Sequence, residues 1–312
     1  MSTMSDAPQL LIVATAHEPW TKAVANAASG QLQPARVAPA DEIDTSAVEV
    51  IVGAPPDLVR IIPRCPKVRW VQSTWAGIDA IAHLASKTLQ ITPLKGVFGP
   101  AISEYVMGWL LAIERNVINR ASQKYWTPSP EPRITGKRLG IMGTGGIGRA
   151  IGLAAKSFGV EVFGLNSDGR SVEAFTACYR TADRLAFSEG LDYLVSVLPQ
   201  TSQTDNLIDH EVLMRLNPRA IVINVGRGNA VVEADLIASL NAGHLRAAVL
   251  DVFREEPLPK DDPLWSTPGV YITSHTAGPT PEEAIPEVFS RNLALFVSGK
   301  PLTDAVRDGR GY

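Results

Sequence analysis

The chain has 312 residues, with 29 Lys and Arg against 32 Asp and Glu and a formal net charge of −3. A balance this close to neutral excludes the electrostatic footprint of a nucleic-acid or anionic-membrane binder, and 45% hydrophobic residues exclude a disordered chain. The length suggests two domains. Cys65 and Cys178 match no metal or redox spacing, no basic leader opens the chain, and no apolar run is long enough to span a bilayer, so a soluble, cytoplasmic protein with no metal site is expected.

Short, β-branched runs predict buried strands at Gln9–Thr15, Val48–Ala54 and Val68–Thr74, with a helix from Glu18 to about Ala28 between the first two. Leu89–Gly96 reads as an edge strand, because Pro93 has no ladder donor. This alternation predicts a parallel sheet with covered faces. Pro100 then opens a long predicted helix from Ala101 to about Lys124. Glu104, inside its apolar run, reads as a buried, paired carboxylate. Thr127–Arg133 carries three prolines and reads as a stiff connector.

A second βα series begins with a strand at Arg138–Gly143 and a helix at Gly146–Phe158, whose apolar stripe is Ile147, Ala150, Ile151, Ala154 and Phe158. Strands follow at Val160–Asn166, Leu191–Pro199, Ala220–Val225, Ala247–Phe253 and Val270–His275, with a last helix from about Pro281 to Ser298.

Gly143-Thr144-Gly145-Gly146-Ile147-Gly148 fits the G-x-G-x-x-G pattern between the first strand and helix of this series. In that context it is a dinucleotide-binding βαβ unit. Gly143 permits the tight turn, Gly145 lets backbone approach a pyrophosphate, and Gly148 lets helix pack on strand. The helix N-terminus offers free N–H groups to the phosphates. The next strand ends at Asn166, where an NAD site usually carries an acid for the ribose. With Ser167 and Arg170 following, the loop reads as an NADP site, the guanidinium pairing with the 2′-phosphate. The other reading is NAD, with Asp168 on the ribose and Arg170 solvated.

Three charged groups follow three successive late strands: Arg227 in NVGRGN, Glu256 in DVFREEPLP and His275 in YITSH. Ligands of open parallel sheets bind beyond the strands' carboxyl ends, so the three side chains are expected in one crevice. Each alone has a bland reading, as a turn arginine, a loop acid and a strand-end donor. Together they make a carboxylate clamp and a proton donor. His17, His83, His210 and His244 read as surface or capping residues, and both cysteines as small buried hydrophobes.

GKRLGIMGTGGIGRAIG, LPQTSQTDNLI, INVGRGNAVVEADLIASLNAG, AAVLDVFREEPLP and VRWVQSTWAGIDAI resemble motifs of the D-isomer-specific 2-hydroxyacid dehydrogenases, and PLTDAVRDGRGY resembles the tail of their glyoxylate/hydroxypyruvate reductase-like subgroup. The resemblance implies an α/β fold of two lobes with parallel sheets. A flavodoxin-like substrate domain would span residues 1–98 and 280–312, and a Rossmann-type dinucleotide-binding domain 99–279. It implies His275 as acid–base and Glu256, rather than Glu255, as its partner. Arg227 would bind the substrate's carboxylate and keto oxygen, the Ala76 and Gly77 amides would hold the carboxylate, and Trp75 would wall the pocket unless it is a half-buried core indole. Asp251 would meet the nicotinamide, and Pro199, Thr204, Val225 and Gly278 would line the cofactor. A homodimer is also implied. Two departures stand out: Asn166 replaces the usual acid, and Ser274 precedes His275 where proline is common.

The expected activity is NADP-preferring reduction of a small 2-keto acid, such as glyoxylate or hydroxypyruvate, to the D-2-hydroxy acid, with NAD possible. The rivals are a dehydrogenase of another small anion, formate or phosphite, and a non-catalytic dinucleotide-sensing scaffold.

Overall fold

A computed structural model describes residues 8–14, 18–39, 45–128 and 130–306. His17 and the last six residues of the tail motif lie outside them. The chain divides into two units, residues 1–97 with 280–312, and residues 98–279.

The first unit holds β1 (Gln9–Val13), α1 (Pro19–Ala28), β2 (Gln33–Ala38), β3 (Val48–Gly53), α2 (Pro55–Ile61), β4 (Trp70–Ser73), α3 (Asp79–Ala82), β5 (Gln90–Thr92) and, from the far end of the chain, α10 (Ala284–Val297). Its sheet is parallel throughout, in the order β2-β1-β3-β4-β5. That is a flavodoxin-like, doubly wound order that reverses direction between β1 and β3. Near-continuous aliphatic runs such as VEVIVG are buried on both faces, as a covered parallel sheet requires. Prolines open α1 and α2, where the missing N–H costs nothing. β2 is an addition to the predicted elements. Its segment carries a proline and an arginine and shows no alternation, which an edge position tolerates.

Helix α10 packs its aromatic side on β4. Phe289 stacks on Trp70 at 5.1 Å between centroids, and Phe296 lies 5.4 Å from the same indole. Buried Asn292 donates to Gln72 Oε1 at 3.1 Å. Cys65 is buried as expected, which pushes its thiol up to about 11, whereas Cys178 is only half-buried.

The second unit begins with α4 (Gly99–Glu114) and α5 (Val117–Ala121). The single long helix expected from Ala101 to Lys124 is therefore corrected to two. Asn116 sits between them with φ 54°, the left-handed conformation that asparagine tolerates better than most residues. The unit continues with β6 (Arg138–Met142), α6 (Gly146–Ser157), β7 (Glu161–Asn166), β8 (Ala177–Arg180), α7 (Arg184–Ser188), β9 (Tyr193–Ser196), α8 (His210–Arg215), β10 (Ala220–Asn224), α9 (Glu233–Asn241), β11 (Leu245–Leu250) and β12 (Val270–Ile272). All strands run parallel in the order β12-β11-β10-β9-β6-β7-β8. Six of them follow the Rossmann order, and β12 extends the far edge. β8 is a further addition; it is short, partly exposed and at the edge, so it carries no core pattern.

Glu104 is exposed, not buried. The buried acid of α4 is Glu114, which meets Arg246 of β11 at 3.2 Å. The buried stripe of α6 is Gly148, Ile151, Gly152 and Ala155, with Phe158 42% exposed. Small residues bring the helix axis close to the sheet. Of the expected stripe Ile151 is buried, while Ile147, Ala150 and Ala154 are half-buried. Among the described residues no helix is long and apolar enough to cross a membrane.

Candidate active site

The glycine loop connects β6 to α6. Gly143 has φ 103°, and its N–H donates to Leu165 O of β7 at 2.9 Å. A Cβ on Gly148 would fall 1.9 Å from Gly143 O, so only glycine closes this turn against its helix. Gly145 and Gly146 are exposed and Ile147 half-buried. Gly145 caps α6 without a side-chain hydrogen bond, and no acid stands in the first turn. The first N–H groups of the helix therefore have no side-chain acceptor from the cap, and the helix dipole is uncancelled there. This cradle fits a dinucleotide pyrophosphate.

Asn166 ends β7 but turns inward. It is buried, its Nδ2 donates to Thr144 Oγ1 at 3.1 Å and Arg170 O at 3.0 Å, and its Oδ1 accepts from Gly169 N at 2.6 Å. Its amide thus shapes the loop and ties it to the glycine turn. Only a group with both a donor and an acceptor can do this, which is a physical reason for asparagine where an acid is usual. Ser167 is exposed. Arg170 Nη1 lies 3.0 Å from Asp168 Oδ1, and both are more than half exposed. The Arg170 backbone N–H, then its guanidinium, hold the Asp168 carboxyl below the usual range.

The turn after β9 is closed by Thr204, whose hydroxyl donates to Pro199 O at 2.6 Å and accepts from Thr201 N at 3.0 Å. After β10, Val225 N–H donates to Ser196 O. Arg227 stands between Gly226 and Gly228. A Cβ on Gly226 would lie 2.5 Å from the Leu198 backbone, and one on Gly228 would lie 1.9 Å from the Phe253 carbonyl carbon. The two glycines let backbone meet backbone on either side and so fix the arginine's position. Asn224 braces the same turn, accepting from Gly226 N at 3.1 Å and donating to Arg227 O at 3.0 Å. The half-buried Arg227 places Nη1 2.9 Å from Gly226 O.

Glu256 and His275 are brought together. Glu256 Oε1 accepts from Phe253 N at 2.9 Å, and Oε2 lies 2.8 Å from His275 Nδ1. A carboxylate only accepts, so Nδ1 carries a proton and Nε2 is left to face outward. The expected strand to His275 stops at Ile272, because the backbone then turns and His275 itself has φ 55°. Asp251 is 2% exposed. Its Oδ1 accepts from Thr276 N at 2.8 Å and its Oδ2 from Ala277 N at 2.9 Å. It anchors the His275 loop rather than facing outward. Gly278 follows, half-buried, against Ile102 of α4.

In the first unit, Ser73 Oγ accepts from Trp75 N at 3.0 Å, turning the chain after β4. Ala76 is exposed and Gly77 half-buried. Trp75 is 45% exposed and so is not a core indole. With Ala14, Ala54 and Thr74 it lines a cavity of about 320 Å³ at the strands' carboxyl ends, which also takes in Asp57 and Arg60.

His83 is exposed, and His244 Nε2 lies 3.0 Å from Leu213 O. Among the described residues no group of three or more His, Cys, Asp or Glu could hold a metal ion. The residues that motif reading missed are Thr144, Asn224 and Thr273. A polar residue inside an aliphatic strand, as in AIVIN, was the available signal for Asn224.

The family model described as D-isomer specific 2-hydroxyacid dehydrogenase, NAD binding domain, matches residues 107–277. The chain is 33% identical over 258 residues to a glyoxylate/hydroxypyruvate reductase A of Salmonella heidelberg, covering 79% of this chain and 82% of that one. Among solved structures it resembles a D-isomer specific 2-hydroxyacid dehydrogenase from Xanthobacter autotrophicus Py2 in complex with NADPH and MES, with TM-score 0.86, 29% identity and coverage of 98% of this chain and all of that one. It also resembles an NADPH-dependent glyoxylate/hydroxypyruvate reductase from Sinorhizobium meliloti in complex with NADP and sulfate, with TM-score 0.84, 28% identity and coverage of 98% and 100%.

Proposed function

The chain belongs to the D-isomer-specific 2-hydroxyacid dehydrogenases, and from that premise we propose that it reduces a small 2-keto acid of the glyoxylate or hydroxypyruvate kind with NADPH. The observation that carries this reading is the 2.8 Å contact between His275 Nδ1 and Glu256 Oε2, in the same unit as the glycine loop. When bound, the reduced nicotinamide supplies a hydride to carbon 2 of the keto acid. His275 hands its Nε2 proton to the carbonyl oxygen, and Glu256 holds the ring's orientation and balances the charged imidazole. Arg227 meets the substrate's carboxylate and keto oxygen. The product is the D-2-hydroxy acid.

NADP fits the loop after β7 on physical grounds. The strand-end carboxylate that would repel a 2′-phosphate is replaced by an asparagine already committed to the loop. Arg170 is exposed, and its pair with Asp168 is a surface pair of little worth, so a phosphate can take the guanidinium over. Arg170→Ala is expected to raise the Kd for NADPH about tenfold, the size of one charged hydrogen-bonded contact, with NADH affinity unchanged. Fluorescence titration of the two reduced cofactors reads this. Equal losses for both would remove Arg170 from phosphate recognition.

The test of the activity is a set of initial rates with glyoxylate, hydroxypyruvate and pyruvate, each with NADPH and NADH, followed by nicotinamide absorbance. Turnover at least tenfold better with NADPH is expected. A preference for NADH would keep the reductase and overturn the phosphate loop; no turnover with any pair, despite cofactor binding, would overturn the substrate class.

A further inference from the structure

We propose that Tyr105 is a positioning residue for the proton donor, acting on His275 through Thr273 and Asp251. This rests on the reading of His275 as the group that gives up the proton.

The loop that carries His275 is wrapped around one buried carboxylate. Thr273 N donates to Leu250 O at 3.0 Å and His275 N to Asp251 O at 2.8 Å. Thr276 N and Ala277 N close on the two Asp251 carboxylate oxygens at 2.8 and 2.9 Å. Inside this wrap His275 is held at φ 55°, where a non-glycine residue is strained by about 1–3 kcal/mol and stays only if its surroundings over-determine it. Ser274, the preceding residue, has no ring to lock its φ. The restraint therefore comes from the hydrogen bonds to Asp251.

Tyr105 completes them. Its hydroxyl lies 2.6 Å from Thr273 Oγ1, which lies 2.5 Å from Asp251 Oδ1. The carboxylate can only accept, so Thr273 must give its single proton to Asp251. Thr273 Oγ1 then has only lone pairs to offer, and the Tyr105 hydroxyl must be the donor. The direction of the whole relay is fixed: Tyr105 to Thr273 to Asp251. Burial pushes the Tyr105 phenol up from its ordinary value, which keeps the proton on the oxygen wherever an enzyme is assayed. The ring is held in place as well. Trp109, one turn along α4, lies 6.3 Å edge-on from Tyr105 and 5.1 Å from Tyr271 of β12. Helix α4 and the loop are 168 residues apart in sequence, and this contact joins them.

Without the Tyr105 proton the Thr273 hydroxyl loses its donor, and the wrap loosens on the side where β12 gives way to the loop. His275 then relaxes toward ordinary φ, and its Nε2 leaves the line to the keto oxygen. Displacements of about 1 Å in a proton donor cost up to about a hundredfold in rate.

The test uses the full chain as Y105F, T273V, T273S and the double variant Y105F/T273V. Y105F removes one oxygen and keeps the packing. Steady-state kinetics with hydroxypyruvate are paired with amide hydrogen exchange of the segment 270–280. Y105F and T273V are each expected to lower kcat about tenfold with substrate KM and NADPH Kd within about twofold. The double variant should be no worse than T273V, and T273S, which keeps the hydroxyl, should match the parent. Exchange at His275, Thr276 and Ala277 should quicken in Y105F and T273V and nowhere else. A parental kcat in Y105F, additive losses in the double variant, or unchanged exchange would each overturn the proposal. Should the parent itself reduce no keto acid, the proposed function falls, and exchange alone still decides whether Tyr105 holds the loop.

Discussion

Replacing His275 with asparagine is expected to lower kcat about a thousandfold, the middle of the range for removing a general acid. Asparagine is a better choice than alanine because position 275 sits at φ 55°. A short polar side chain tolerates that region, and a new strain is not added to the loss of the proton. Its amide can still donate to Glu256, so the carboxylate is not left without a partner. NADPH should bind with a Kd within about twofold of the parent, because the glycine loop and the loop after β7 make no use of the imidazole, and the melting temperature should be unchanged. Stopped-flow reduction and fluorescence titration separate the two effects. Residual turnover above a tenth of the parent's would mean that another group supplies the proton. Retained cofactor binding in a parent that turns over no keto acid would favour a sensor.

Replacing Gly228 with alanine is expected to be the most damaging single methyl group in the second unit. The added Cβ would stand 1.9 Å from the Phe253 carbonyl carbon, 2.1 Å from its oxygen and 2.4 Å from Arg254 N. All three are backbone atoms, so no rotamer change relieves the clash. The Arg227 turn must part from the segment after β11, which holds Asp251 and leads to Glu256. Overpacking of this kind costs about 3 kcal/mol, or roughly 6–12 °C of melting temperature in a unit of this size. In protein that still folds, the substrate KM should rise far more than the NADPH Kd, because the turn that moves carries Arg227, the proposed carboxylate clamp. Gly108→Ala is the control. That glycine lies within α4 with nothing within 4 Å of a Cβ, and the substitution should stabilise by about 0.5–1 kcal/mol. A melting temperature for Gly228→Ala equal to the parent's would show that the close approach is not needed.

Much of the fold was legible because parallel strands buried on both faces are written as near-continuous aliphatic runs, and LLIV, VEVIVG, AIVIN and RLGIM are of that kind. The edge strands β2 and β8 were not. Edge strands need no such run, and β2 even accepts a proline. The break between α4 and α5 was hidden because asparagine at φ 54° resembles any other residue of a polar helix end. The apolar face of α6 was read only in part for a related reason: a hydrophobic stripe counts large side chains and found Ile151, whereas this helix is also buried through Gly148, Gly152 and Ala155. At the site, the glycine loop, Arg227, Glu256 and His275 stand in local motifs and could be named. Asn166 drew notice only as a missing acid, and its work as a loop brace depends on Thr144, 22 residues away. The Tyr105–Thr273 contact has no local signature at all.

The crossing of α10 back to β4 bears on how the protein is made. Trp70 and Gln72 are covered by Phe289, Phe296 and Asn292, all translated after the entire second unit. At about 5–20 residues per second, the ribosome leaves that face of the first sheet bare for roughly 10–40 s. The second unit has its sequence complete while the first still waits for its last helix, so the unit that starts first is the last to have all its parts. A nascent chain in this interval exposes a tryptophan-bearing sheet, and a ribosome stalled between residues 97 and 284 would present it to chaperones.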